Sequence, residues 1–218
     1  MEEKISFWDQ VYEINDNIWG ASADAMLREY HHIIPKGNVM DLGTGEGRNA
    51  LFFAKMGYNV EANDVSPKAI DRCLENANRA GLENCSFTVA DLKNIELEPE
   101  KYSLIICSSV LQFFTLPERL KIVSEIKKGL AKGGFVYLNA FTTGDSSYKM
   151  YLEAEIEMPE EATFLFTEND QVIHYFTRDE VETLFEELQH VAISDGKYLD
   201  ESHGGHTGLC HYLGRKYK

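Results

Sequence analysis

Residues 39–47 read VMDLGTGEG: an apolar approach, one Asp, then glycines at 43, 45 and 47. A chain that leaves a buried strand through three closely spaced glycines has few folds open to it. The glycines permit a tight turn with its backbone N–H groups exposed, and such turns open into helices whose first turn holds nucleotide-type ligands. The flanking residues complete that unit. Val39 and Met40 lead in as a strand, and Ala50 to Met56 carries a helical apolar face closed by Gly57.

The rhythm repeats downstream. Asn59 to Asn63 predicts a short strand, Ser66-Pro67 a helix cap with a first-turn proline, and Gly81 a helix stop after Ile70, Leu74 and Ala77. CSFTV (85–89), YSLIIC (102–107) and FVYLNAF (135–141) read as strands. An amphipathic helix over Leu116–Leu130 ends at Lys132-Gly133-Gly134. Alternation of this kind predicts an α/β fold, a mostly parallel sheet with helices on both faces. Ligands in such sheets bind beyond the carboxyl ends of the strands, where the strand order reverses. Thr177 and Glu180 are spaced as a capping box for a helix to about Leu188, and VAISD (191–195) and LCHYLGR (209–215) are the last strand candidates. The expected organisation is an N-terminal helical cap over residues 1–35, with helical patterns at Glu3–Tyr12 and Ser22–Ile33, and one domain over 36–218. The stretch Thr142–Tyr175 breaks the rhythm and is expected to be a substrate-side insertion at about 142–175.

The 218 residues suit one domain, and 44% hydrophobic content is enough for a core. The charge balance is 21 basic against 36 acidic residues, a net −15. That field opposes phosphate backbones and anionic lipid, so neither nucleic acid nor a membrane surface is expected as a partner. The first twenty residues have no basic start, no run of eighteen apolar residues occurs, and Cys73, Cys85, Cys107 and Cys210 form no CxxC pair. A reduced, cytoplasmic protein, monomer or homodimer, is the expectation.

Several nucleotide turns compete for DLGTGEG. A dinucleotide fold wants GxGxxG, but Arg48 stands at the sixth position. A P-loop wants Lys-Ser/Thr after its glycines, where this chain has Arg48-Asn49. The pattern apolar–Asp–apolar–GxGxG resembles class I S-adenosylmethionine-dependent methyltransferases. NVEANDVS and VADLKNI, at the ends of the next two strands, extend the likeness, which covers about Val39 to Phe141. Within that family, GEGRNALFFAKMGYNVEANDVSPKAI is most similar to the tellurite-resistance type and related small-molecule methyltransferases.

The resemblance implies a Rossmann-like seven-stranded sheet of order 3-2-1-4-5-7-6 with the seventh strand antiparallel, and S-adenosylmethionine as cofactor. It also implies roles. Asp41 would order the turn and reach the cofactor's amino end, and Gly43 and Gly45 would let backbone approach its methionine part. Asp64, with Val65, would take the ribose hydroxyls. Asp91 would accept from the adenine amino group while the Leu92 N–H donates to the ring, and Ser108 and Ser109 would line the methionine end. The expected function is methyl transfer to a small-molecule acceptor. A nicotinamide-dependent oxidoreductase and a non-catalytic S-adenosylmethionine-binding protein stand as alternatives. Ser-Ser-Val-Leu (108–111) replaces any Asn-Pro-Pro-Tyr-like tetrad, which argues against DNA bases or glutamine as acceptors. Oxygen, sulfur, nitrogen and metalloid-oxyanion acceptors all remain open.

Methyl transfer is an in-line displacement that gains most from alignment and exclusion of water, so a lid, an aromatic wall and a base are the parts to look for. Phe7, Trp8, Tyr12 and Trp19 are the lid candidates, with Tyr12 and Trp19 beside the polar break INDNIWG. Tyr12, His203 and His206 are the candidate catalytic residues. His203, His206 and His211 could supply a base, pack structurally or ligate metal, although H-x2-H-x4-H matches no standard zinc spacing and no metal is expected. His174 could reach the same region. Arg48, Arg178 and Lys149 are the cations available to an anionic substrate.

Overall fold

The computed structural model describes residues 7–14, 18–200 and 205–217, without the side chains of 198–200 and 205–206. Two helices, α1 (Phe7–Ile14) and α2 (Ala25–Tyr30), precede the sheet. Then β1 (Asn38–Leu42), α3 (Arg48–Lys55), β2 (Asn59–Asp64), α4 (Pro67–Ala80), β3 (Cys85–Val89), β4 (Tyr102–Ser108), α5 (Leu116–Gly129) and β5 (Leu130–Phe141) alternate as expected. Beyond them come α6 (Ser146–Glu153), β6 (Thr163–Phe166), β7 (Gln171–His174), α7 (Arg178–Leu184), β8 (Gln189–Asp200) and β9 (Gly205–Arg215).

Seven strands form one sheet in the order β3-β2-β1-β4-β5-β9-β8, and β6 and β7 form a separate hairpin. With the hairpin set aside, this is the order 3-2-1-4-5-7-6. β9 runs antiparallel to both β5 and β8, and the pairs from β3 through β5 are parallel. The order reverses between β1 and β4, which puts the glycine turn after β1 at the switch point.

Central strands of a doubly covered sheet bury both faces, and β4 does so with a nearly unbroken apolar run. Ile105 and Cys107 pack with Ile122 and Ile126 of α5 and Phe185 beyond α7. Leu104 and Ile106 face the other way, against Phe53 of α3 and Leu27 of α2. Each such side chain, fully buried, contributes about 1.5–3 kcal/mol. Local signals set the helix ends. Ser66 Oγ accepts from Ala69 N at 3.2 Å to cap α4, and Gly81 ends it at φ +66°.

Three elements depart from the sequence reading. β5 begins at Leu130, directly after α5, because the Gly133-Gly134 pair is a close approach within the strand: a Cβ on Gly134 would lie 2.7 Å from the Tyr102 carbonyl oxygen. Thr177 caps α7, accepting from Glu180 N at 3.1 Å, but the Glu180 carboxylate lies 3.0 Å from His174 Nε2 instead of closing the box. α7 stops at Leu184, short of Leu188. The capping box lies in α5, where the Thr115 N–H donates to Glu118 at 2.9 Å. No helix among the described residues is long and apolar enough to cross a membrane.

Gln112, in the turn after β4, is fully buried and neither end of its amide has a hydrogen-bond partner. An orphaned buried polar group costs about 1–3 kcal/mol. Gln112→Met should therefore raise Tm by about 2–4 °C, at ~1 kcal/mol for a chain of this size. A lowered Tm in thermal unfolding would contradict this.

Candidate active site

The turn Gly43–Gly47 holds its shape through two carboxylates. Asp41 Oδ2 accepts from Thr44 Oγ1 at 2.7 Å and from Ala50 N at 3.1 Å, tying the end of β1 to the start of α3. Gly45 N donates to Asp64 Oδ2 at 2.9 Å, which ties the turn to the end of β2. Gly43 and Gly45 adopt φ of +64° and +57°, a region that side chains disfavour. A Cβ would also collide at both, with Val110 at 2.5 Å and with the Tyr12 hydroxyl at 2.8 Å.

Asp64 keeps acceptor capacity. Its second oxygen takes the Ser66 N–H at 3.0 Å, and a carboxylate offers about four acceptor sites, so the group is not saturated. Asp91 caps the 3-10 turn that begins at Leu92, accepting from Lys93 N at 2.9 Å. Leu92 is the first residue of that turn, where an N–H has no partner within the helix. Asp41, Asp64 and Asp91 thus stand at the carboxyl ends of three neighbouring strands.

All three line one cavity of about 580 Å³. The same cavity gathers Gly43, Gly45, Val65, Leu92, Ser108 and Trp19, together with Tyr12. Every expected cofactor contact is therefore brought to one place. Residues that the sequence did not single out also line it, including Val110, Phe113, Leu165 and Val172.

The N-terminal segment forms a lid fastened at several points. Asp9 on α1 accepts from Ser66 Oγ at 2.6 Å and from Lys68 N at 3.1 Å, a carboxylate at the positive end of α4. Arg72 of α4 donates to the Tyr12 carbonyl and to Glu46 at 2.9 Å, while Ile18 N donates to the other Glu46 oxygen at 2.9 Å. Under these ties, Trp19 Nε1 donates to the Tyr12 hydroxyl at 3.0 Å directly over Gly45. Burial, reinforced by Asp64, pushes the Tyr12 phenol well above its usual range, so it keeps its proton. That makes Tyr12 a poor base, although sequence reading counted it among the catalytic candidates. Phe7 and Trp8 line the same cavity.

A buried polar hub supports the opposite wall. Asp24, just before α2, sits 2.8 Å from Arg48, accepts from Ser108 Oγ at 2.6 Å and exchanges hydrogen bonds with Asn49. It therefore fixes two cavity residues, Arg48 and Ser108, at once. Sequence reading missed Asp24; its position before a helical pattern signals a cap, but its partners lie 25 and 84 residues away.

The other candidates lie elsewhere. His174 is buried, bonded to Thr163 Oγ1 at 2.8 Å and to Glu180, and does not line the cavity. His211 pairs with the Tyr137 hydroxyl at 2.9 Å, and burial pushes its imidazole down. Arg178 and Lys149 face Glu182 at 3.1 Å and Glu153 at 3.4 Å. His203 lies outside the described residues, and His206 falls on β9 with its side chain undescribed. Among the described residues, no three His, Cys, Asp or Glu side chains are grouped to hold a metal.

Asp41 is strongly perturbed by its surroundings. It is 1% exposed, and burial pushes its carboxyl up to about 7, against the opposing pull of Thr44 and Arg48. Between pH 4 and 7 the folded chain then holds a proton that the unfolded chain has lost, so this group's stabilisation is full below about pH 4 and is lost as pH rises through about 7. Asp41→Asn preserves both accepted hydrogen bonds. In denaturant titrations its stability relative to wild type should rise from pH 5 to pH 8; a constant difference would contradict this.

Comparison with known proteins follows the same residues. A family described as "Methyltransferase domain" matches residues 39–134. The probable S-adenosyl-L-methionine-dependent methyltransferase TehB of Haemophilus influenzae is 27% identical over 143 residues, spanning 66% of this chain and 46% of that protein. The chain spans less than half the length of the first curated relatives it matches. Among solved structures, a methyltransferase from Methanosarcina mazei superposes with a TM-score of 0.73 at 20% identity, covering 90% of this chain and 99% of that one. Burkholderia thailandensis 1,6-didemethyltoxoflavin-N1-methyltransferase, with its substrate and S-adenosylhomocysteine bound, superposes at 0.68 and 17% identity, covering 97% and 86%. Those two likenesses are of fold. Taken together with the glycine turn and the domain matched over residues 39–134, they support a relationship of this chain to the class I S-adenosylmethionine-dependent methyltransferases, with S-adenosylmethionine as the cofactor.

Proposed function

We propose that this chain transfers a methyl group from S-adenosylmethionine to a small-molecule acceptor in the cavity beneath its N-terminal lid. The observation that carries this reading is the convergence of Asp41, Asp64 and Asp91 on one cavity with the Gly43–Gly45 turn. The donor set fits the cofactor. The unsaturated Asp64 carboxylate suits a pair of vicinal ribose hydroxyls. Asp91 and the Leu92 N–H present the acceptor and donor that an adenine edge requires. Asp41, close beneath the turn, suits a cationic amino group, whose approach would favour its ionised form. The cradle at Gly43 and Gly45 leaves no room for a side chain.

When bound, the cofactor supplies a methyl group already activated on a sulfonium. The chain's part is to position and to exclude water. Tyr12 and Trp19 close over the turn and present aromatic faces, which favour a nearby cation. Arg48 and Ser108, held by Asp24, fix the wall at the end of β4. Leu165 and Val172 of the β6–β7 hairpin overhang the cavity. A site enclosed in this way, on a chain of net charge −15, favours a small acceptor over a polyanion. The Burkholderia thailandensis structure of the same fold is named for 1,6-didemethyltoxoflavin and holds it together with S-adenosylhomocysteine, which accords with this reading.

Isothermal titration with S-adenosylhomocysteine tests the assignment. Saturable binding is expected, and Asp64→Ala should weaken it at least tenfold, since a charge-assisted hydrogen bond contributes about 1.5–3 kcal/mol. Unchanged affinity in the variant would remove Asp64 from the ribose, and no heat with the wild type would remove the cofactor reading itself.

A further inference from the structure

The part of the cavity away from the glycine turn has a distinct chemistry. Trp8 lies edge-on to Phe113, with ring centroids 4.7 Å apart, and Phe7 lies edge-on to Trp8 at 5.3 Å. Leu165 and Val172 face them from the hairpin. Such walls suit a flat apolar ring, which gains both area burial and edge contacts.

The charges in this region oppose anions. Lys93 is 3.0 Å from Glu118, and Asp170 adds a second carboxylate. Arg48, the other lining cation, is 2.8 Å from Asp24. Among the described residues, every cation that lines the cavity already faces a carboxylate. An oxyanion would therefore meet net negative charge without an unneutralised cation.

Among the described residues, no histidine or cysteine lines the cavity, and the one lining carboxyl raised to about 7, Asp41, is engaged by Thr44 and Ala50 under the glycine turn. The Tyr12 phenol holds its proton, and Glu118, despite partial burial, is held below the usual carboxylate range by the Thr115 N–H and Lys93. The accepting atom must then bring a free lone pair of its own.

Building on the methyltransferase reading above, we propose that the acceptor is an uncharged, planar nitrogen heteroaromatic whose pyridine-type ring nitrogen takes the methyl group. The ring nitrogen's lone pair forms the new N–CH3 bond as the S–CH3 bond breaks and its electrons stay on sulfur. The positive charge passes from sulfur to the methylated ring, and no proton has to leave. The product is cationic, and the cavity suits it: the rings of Trp8 and Phe113 and the carboxylates of Glu118 and Asp170 all line it.

Quinoline and quinoline-4-carboxylate share one ring and differ in charge, so they separate the two acceptor classes. Each is titrated at pH 7.5 into protein first saturated with S-adenosylhomocysteine, with selenite as the metalloid-oxyanion probe. Quinoline should bind saturably, at least tenfold tighter than its carboxylate, and Trp8→Ala should weaken it at least tenfold. Absent quinoline binding, equal or tighter binding of the carboxylate, saturable selenite binding, or unchanged quinoline affinity in Trp8→Ala would each overturn the acceptor class. Failure of S-adenosylhomocysteine to bind in the first step would instead overturn the cofactor reading, so the two failures are told apart.

Discussion

One carboxylate, Asp41, joins the end of the first strand to the helix that follows it. Its oxygen accepts from Thr44 and from Ala50, so the chain must turn back sharply, and glycine suits 43 and 45 because their positive φ disfavours side chains and a Cβ would collide at both. The turn is then fixed to β2 through Gly45 and Asp64. The cavity depends on this arrangement: the lid residue Tyr12 rests where a Gly45 side chain would be, and Val110 rests where one at Gly43 would be. The arrangement has an energetic cost, since Asp41 is buried deeply enough to favour its protonated form. Strained or desolvated groups of this kind concentrate at functional sites.

Around that turn the chain builds two unlike surfaces. On one side, strand-end carboxylates and backbone donors form a polar cradle. On the other, aromatic and aliphatic side chains from α1, the turn after β4 and the hairpin form an apolar wall. The lid is held by ties to α4, namely Asp9 on Ser66 and Lys68, and Arg72 on Tyr12 and Glu46.

Much of this was legible in the sequence from Asn38 to Gly129, because each element there carries both a period and a punctuation mark. Ser66-Pro67 and Gly81 bracket α4, and the apolar run Leu104–Cys107 marks a doubly covered strand. Eight of the cofactor candidates, all but Trp19, converge for the same reason: they sit at strand ends whose order follows from one repeated unit. Legibility fails where structure depends on distant partners. Asp24 reads as an ordinary helix cap, yet it reaches Ser108, 84 residues on. The β6–β7 hairpin consists of two four-residue strands, too short to show a period, joined at Asp170 with φ +57°. β8 was foreseen only at Val191–Asp195, since polar residues at 194–200 mask its alternation out to Asp200. The apolar wall that bears on acceptor choice could be assembled only in three dimensions, since Trp8, Phe113, Leu165 and Val172 come from separate elements.

The most direct measurement is a crystal structure of the protein grown with S-adenosylhomocysteine. The account predicts both ribose hydroxyls within hydrogen-bond reach of Asp64, the adenine edge on Asp91 and the Leu92 N–H, and Tyr12 and Trp19 still paired above Gly45. Ligand bound outside the glycine turn, with Asp64 engaged only by Gly45 and Ser66, would contradict it.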